Sequence, residues 1–108
     1  EAGTAAEAPL ITADITVGAY NTETNTFSVN VSNIQSSIEP RSILCAVWPD
    51  GDQSVIKWYE MTPSEDGSYQ YEVAASDFEY RRGKYIIHVY AMDAEENPYL
   101  IGYSYQMV

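Results

Sequence analysis

The chain has 108 residues, and its five basic against sixteen acidic side chains leave a net charge of −11. A single domain of that length buries about two-thirds of its unfolded surface, enough for one core without disulfide or metal staples, and a composition 45% apolar and 19% charged argues against disorder. The acidic balance excludes nucleic acid, whose phosphates need Lys and Arg, and the longest charge-free apolar run, Ser42 to Trp48, falls far below the ~18 residues of a membrane span, so no membrane insertion is expected.

Residues 1–9, EAGTAAEAP, are small, polar and unpatterned and read as a linker or remnant, with a single domain over 10–108. The chain starts on Glu1 with no basic, apolar leader, so the expectation is a processed product or an excised piece. Beyond Leu10, apolar residues recur at spacing two, in short runs cut by Asn, Gly, Pro and Asp clusters, which is the pattern of strands. Ile11, Ala13, Ile15 and Val17 alternate first, and Phe27, Val29 and Val31 follow after a turn-rich stretch at 21–25. A polar connection holding Pro40 leads to Ile43, Cys45 and Val47, and a turn at 49–52 returns the chain through Val55 to Met61 as a hairpin. Tyr69, Tyr71 and Val73 form the next run, then Tyr85, Ile87 and Val89, and a last hairpin through 93–98 enters Leu100 to Met107.

Seven short strands rich in β-branched and aromatic residues predict an all-β fold, an immunoglobulin-like antiparallel sandwich, with a partly open barrel as the alternative. Within the sandwich, Gly83-Lys84-Tyr85 marks a tyrosine corner, in which a Tyr at the start of the sixth strand bonds its hydroxyl to upstream backbone.

The inventory for chemistry is thin. His88 is the one imidazole, so any Ser-His-Asp or Cys-His arrangement must pass through it. On the alternation it faces away from Ile87 and Val89, whereas Cys45 shares the inward parity of Ile43 and Val47, so the two lie on opposite faces. His88 therefore reads as a strand histidine with a cross-strand neighbour, and Cys45 as a small core hydrophobe. Asp50-Gly51-Asp52 is reminiscent of the opening of a calcium loop, but Gln53, Ser54 and Val55 follow in place of further ligands, so it reads as an acidic turn. No catalytic residue, metal or cofactor is expected.

The aromatic residues say more. If Ile43, Cys45 and Val47 face inward with Tyr85, Ile87 and Val89, then Leu44 and Trp48 share the outer face with Ile86, His88 and Tyr90. Trp58 and Tyr59 are adjacent on the neighbouring strand, and one of them must join that face. The expected binding surface is thus drawn from Trp48, Trp58, Tyr59, His88 and Tyr90, either as a free patch or as one covered by a loop or an adjoining domain.

The string AVWPDGDQSVIKWYEM, then DGSYQYEV and GKYIIHVYAM, resembles the GBS Bsp-like repeat, a surface module of Gram-positive bacteria. The features are Val47-Trp48 before a polar turn, Ile56-Lys57-Trp58-Tyr59 after it, Gly67-Ser68-Tyr69, and Gly83-x-Tyr85 followed by His88-Val89-Tyr90. The turn Pro49 to Gln53 departs from the pattern in being acidic. The resemblance implies an extracellular, immunoglobulin-like module at a cell surface or cell wall, often attached to wall-associated proteins, and it implies no catalytic residues. Three functions are then open: a non-catalytic module that spaces or targets a neighbouring domain, a carbohydrate-binding module using exposed aromatics, and an adhesin-like domain for a surface protein. The partners expected are adjacent domains of the parent protein and a cell-wall glycan or surface protein. A net charge of −11 favours uncharged glycans or proteins over polyanionic wall polymers.

Overall fold

In the computed structural model, residues 11–38 and 40–108 are described, and the expected linker at 1–9 lies outside them. Eight strands form: β1 (Ile11–Val17), β2 (Thr26–Ser36), β3 (Ser42–Pro49), β4 (Lys57–Glu60), β5 (Thr62–Pro63), β6 (Tyr69–Ala74), β7 (Lys84–Met92) and β8 (Pro98–Met107). They divide into two antiparallel four-stranded sheets, ordered β1-β2-β6-β5 and β4-β3-β7-β8. This is the strand order of an immunoglobulin-like sandwich, with the first, second, fifth and sixth strands in one layer and the third, fourth, seventh and eighth in the other.

The alternation that predicts the strands also builds the core, because each strand sends every second side chain between the layers. Phe27, Val29 and Val31 of β2 meet Ile43, Cys45 and Val47 of β3 and Tyr85, Ile87 and Val89 of β7, all fully or almost fully buried. Each such aliphatic or aromatic side chain contributes roughly 1.5–3 kcal/mol on burial. Tyr85 is the tyrosine corner. Its hydroxyl donates to the Arg81 carbonyl at 2.5 Å, and its ring meets Phe78 and Phe27 edge-on at 5.0 and 6.3 Å. That bond anchors the crossing at 75–83, which begins as a 3₁₀ turn at Ala75–Phe78 and continues through Glu79 and Tyr80 in the left-handed region.

The described residues hold eight strands rather than seven, because a two-residue strand at Thr62–Pro63 follows the predicted run. The run from Val55 to Met61 opens with a 3₁₀ turn at Gln53–Val55, pairs with β3 as β4, and then crosses to the other layer. At the crossing Met61 turns into the core and its N–H donates to the Ile43 carbonyl at 2.8 Å, after which β5 pairs with β6. A two-residue edge strand ending in Pro63 is a poor template for further pairing, which protects that edge of the sheet.

The other irregularity is in β8. Its register with β7 shifts between Val89 and Tyr90, so Val89 faces Gly102 and Tyr90 faces Leu100, leaving Ile101 as the extra residue of a bulge. Ile101 packs against the core, and Gly102 passes so close to β1 that an added Cβ would lie 2.0 Å from the Ile15 side chain. Glycine at this point lets the edges of the two layers close on one another.

Candidate functional site: the outer face of the second sheet

The side chains that β4, β3, β7 and β8 turn away from the core lie in cross-strand rows. One row is Trp58, Ala46, His88 and Tyr103; beside it run Trp48, Ile86 and Tyr105, and on the other side Glu60, Leu44, Tyr90 and Leu100. Leu44, Ile86, His88 and Tyr90 thus share the outer face, as the alternation predicts.

Ala46 organises the face. A methyl group in the middle of a row leaves room for neighbouring rings to lie down over it, and Ala46 is 1% exposed although it points away from the core. Trp58 leans across it from β4 and meets Tyr90, two strands away, with ring centroids 5.3 Å apart. His88 approaches from the other side, 6.2 Å from Tyr90 and 6.0 Å from Tyr103. Trp58 is 52% exposed and Tyr103 73%, so the resulting pavement is open to a ligand.

Two expected members of the pavement are not part of it. Tyr59 belongs to the core side: it pairs with Cys45, stacks on Tyr71 with centroids 4.6 Å apart and donates its hydroxyl to the Asp77 carboxylate at 2.8 Å. Burial first, and then the bond to Asp77, push that hydroxyl above the usual tyrosine range. Adjacent aromatics on a strand cannot share a face, and the register of β4 on β3 gives the outer place to Trp58. Trp48 lies on the outer side, as expected, but is only 8% exposed, packed edge-on against His88 with ring centroids 4.7 Å apart. It supports the pavement and does not offer a platform.

Tyr103, Tyr105 and Leu100 were not reached by the sequence reading. Strict alternation puts Leu100 and Tyr103 on opposite faces, and the bulge at Ile101 brings them to the same one. Gly102 inside an otherwise strand-like run was the available signal, since glycine within a strand often marks a bulge. Tyr105 is 57% exposed, and the Lys84 ammonium lies 4.7 Å over its ring.

The chemical groups of the chain are engaged elsewhere. His88 is ringed by Trp48, Tyr90 and Tyr103, its Nδ1 lies 3.4 Å from the Tyr90 hydroxyl, and burial lowers its pKa. Cys45 is fully buried on the opposite side of the sheet, and burial pushes its thiol up to about 12. At the acidic turn, Asp52 accepts from Arg81 at 2.7 Å and from the Ser54 hydroxyl, and these bonds hold its carboxyl below the usual range. Among the described residues no group of three or more His, Cys, Asp or Glu side chains is placed to hold a metal ion, and no helix is long and apolar enough to cross a membrane.

A family model for the GBS Bsp-like repeat matches residues 16–104, which takes in β2 to β7 whole and most of β8. The chain belongs to the GBS Bsp-like repeat family. The family is one of bacterial surface repeats, so membership implies an extracellular module. Among solved structures, the repeat superposes on part of a polysaccharide deacetylase from Bacillus cereus with a TM-score of 0.73 at 14% identity. It also superposes on part of a Bacillus anthracis protein provisionally assigned the same activity, with a TM-score of 0.69 at 14% identity. In each case 89% of this chain is covered, and it spans 30% of the larger protein. At that identity the likeness concerns the fold. No curated protein matches the chain.

Proposed function

We propose that this repeat is a non-catalytic targeting module of a Gram-positive cell-surface or wall-associated protein, and that it holds a neighbouring domain against polysaccharide through the outer face of its second sheet. The observation that carries this reading is the exposed aromatic pavement of Trp58, Tyr90, His88 and Tyr103. A sandwich needs only one apolar face per sheet, so a second one, open to solvent, is surplus to folding and suited to a ligand with flat apolar surfaces. Pyranose rings have such surfaces, with hydroxyls at the edge for orientation. Two further points support it. The single imidazole and the buried thiol lie on opposite sides of one sheet, so they cannot act as a thiol–imidazole pair. The fold also recurs as a minor portion of proteins described as polysaccharide deacetylases, a context in which a targeting module is useful.

Retention of the purified chain on insoluble cell-wall preparations and neutral polysaccharides tests the proposal, with wild type compared against the Trp58→Ala/Tyr103→Ala double variant. Retention of the wild type and its loss in a still-folded variant is the expected result. Equal passage of both proteins through every matrix would leave a passive spacer, and glycan deacetylation or hydrolysis abolished by His88→Ala would make the module an enzyme.

A further inference from the structure

We infer, building on the glycan reading above, that the face takes a single uncharged polysaccharide chain laid across the strands, with successive sugars seated on Trp58, Tyr90, His88 and Tyr103. The order follows from the ring contacts. Centroid separations along this path are 5.3, 6.2 and 6.0 Å, each comparable to the advance of one pyranose unit in an extended chain. The path crosses from Trp58 on β4 to Tyr90 on β7, steps along β7 from Tyr90 to His88, and crosses again to Tyr103 on β8, so it links one edge of the sheet to the other. Two neighbouring rings lie off this path: Trp48, packed edge-on against His88, is 8% exposed, and Tyr105, though 57% exposed, touches none of the four and carries the Lys84 ammonium over its ring.

The chemistry of the occupant follows from charge and tilt. With sixteen acidic against five basic side chains, the chain as a whole carries a negative field that repels carboxylated, sulfated or phosphorylated polymers. The same field opposes a second copy of this chain, which would bring another −11 to the contact. Sugars with equatorial linkages and no charge present C–H groups on both ring faces and fit an aromatic platform. Successive rings are inclined by 38°, 53° and 55°, so the pavement is ridged rather than flat. A packed, crystalline polymer would touch only the crests. A lone chain can turn at each glycosidic linkage and follow all of them.

Calorimetric titration of the full chain with β-linked glucose and N-acetylglucosamine oligosaccharides, from disaccharide to hexasaccharide, tests this arrangement, alongside polygalacturonate and microcrystalline cellulose and chitin. Affinity is expected to climb with each sugar as far as the tetrasaccharide and then level off. Trp58→Ala and Tyr103→Ala should each weaken tetrasaccharide binding about tenfold, as loss of an anchoring ring commonly does, while Tyr105→Ala leaves it unchanged. Affinity independent of length, preference for polygalacturonate or for the crystalline polymers, or an equal loss in Tyr105→Ala would overturn the arrangement while leaving glycan targeting intact. Absence of binding to every glycan would remove both.

Discussion

The two outer faces of this sandwich are built on the same scaffold and differ completely in chemistry. On the first sheet the outward positions are Thr12, Asp14 and Thr16 of β1, Ser28, Asn30 and Ser32 of β2, and Gln70 and Glu72 of β6, an ordinary solvated surface. On the second, Glu60 and Lys84 are outnumbered by Leu44, Ala46, Trp48, Trp58, Ile86, His88, Tyr90, Leu100, Tyr103 and Tyr105. Both sheets close over one core with equal success, so the polar face shows what folding alone requires of this architecture. The aromatic face exceeds that requirement, and the excess is what points to binding.

The two tryptophans give the largest test of that difference, because they occupy the same face at different depths. Trp48 is bedded and Trp58 half exposed. Trp48→Ala should cost about 3–5 kcal/mol of stability, the usual loss for a large buried aromatic. Trp58→Ala gives up chiefly its contact with Tyr90, about 1 kcal/mol, while losing most of the glycan affinity. Gln70→Ala on the polar face should stay within about 0.5 kcal/mol and leave binding untouched. Urea denaturation midpoints for the three variants, set beside their binding curves, check the ordering; equal destabilisation by Trp48→Ala and Trp58→Ala would mean that depth on this face does not separate support from contact.

Ala46 supplies a smaller and more specific test. It is the low point over which Trp58, Tyr90 and His88 converge, and a larger residue there lifts the rings apart. Ala46→Leu should cost about 1–3 kcal/mol through overpacking, and it should reduce binding although every aromatic side chain is retained. Near-ultraviolet circular dichroism will report the altered ring environment. Unchanged affinity in this variant would show that individual rings, rather than their joint arrangement, hold the ligand.

Much of this architecture was legible in the sequence because a half-buried strand records its inner face directly. Phe27, Val29 and Val31, and Tyr85, Ile87 and Val89, could be assigned to the core from spacing alone, and Gly83-x-Tyr85 marked the corner whose hydroxyl does reach Arg81. Three features were not legible, each because alternation carries no information about it. It does not register a two-residue edge strand, so β5, just past the run that ends at Met61, was missed. Nor does it say which of two adjacent aromatics turns inward, a choice made by the pairing of Tyr59 with Cys45. Nor does it survive an extra residue, so the bulge at Ile101 hid the contribution of β8 to the candidate site.

The smallest expected effect concerns protonation of the aromatic face. His88 is the single histidine of the chain, and burial among rings sets its folded pKa below the ordinary value of 6.5. The unfolded chain therefore takes up this proton first as pH falls. The stability contributed by neutral His88 is complete above pH ~6.5 and is lost as pH drops through that value to the lowered folded one. Asp52, Asp66 and Asp93, all with lowered pKa values, hold their contributions until pH falls below about 4, so the two windows are separate. Relief of repulsion among the acidic side chains acts in the opposite direction, but equally in wild type and in His88→Phe, and the difference between the two proteins isolates the imidazole. Urea midpoints at pH 7.5 and 5.5 should show wild type losing ground relative to His88→Phe on acidification. An identical pH response would mean that His88 is hydrated as freely in the folded chain as in the unfolded one, and the pavement around it would then be wetter, and a weaker seat for a sugar, than its packing implies.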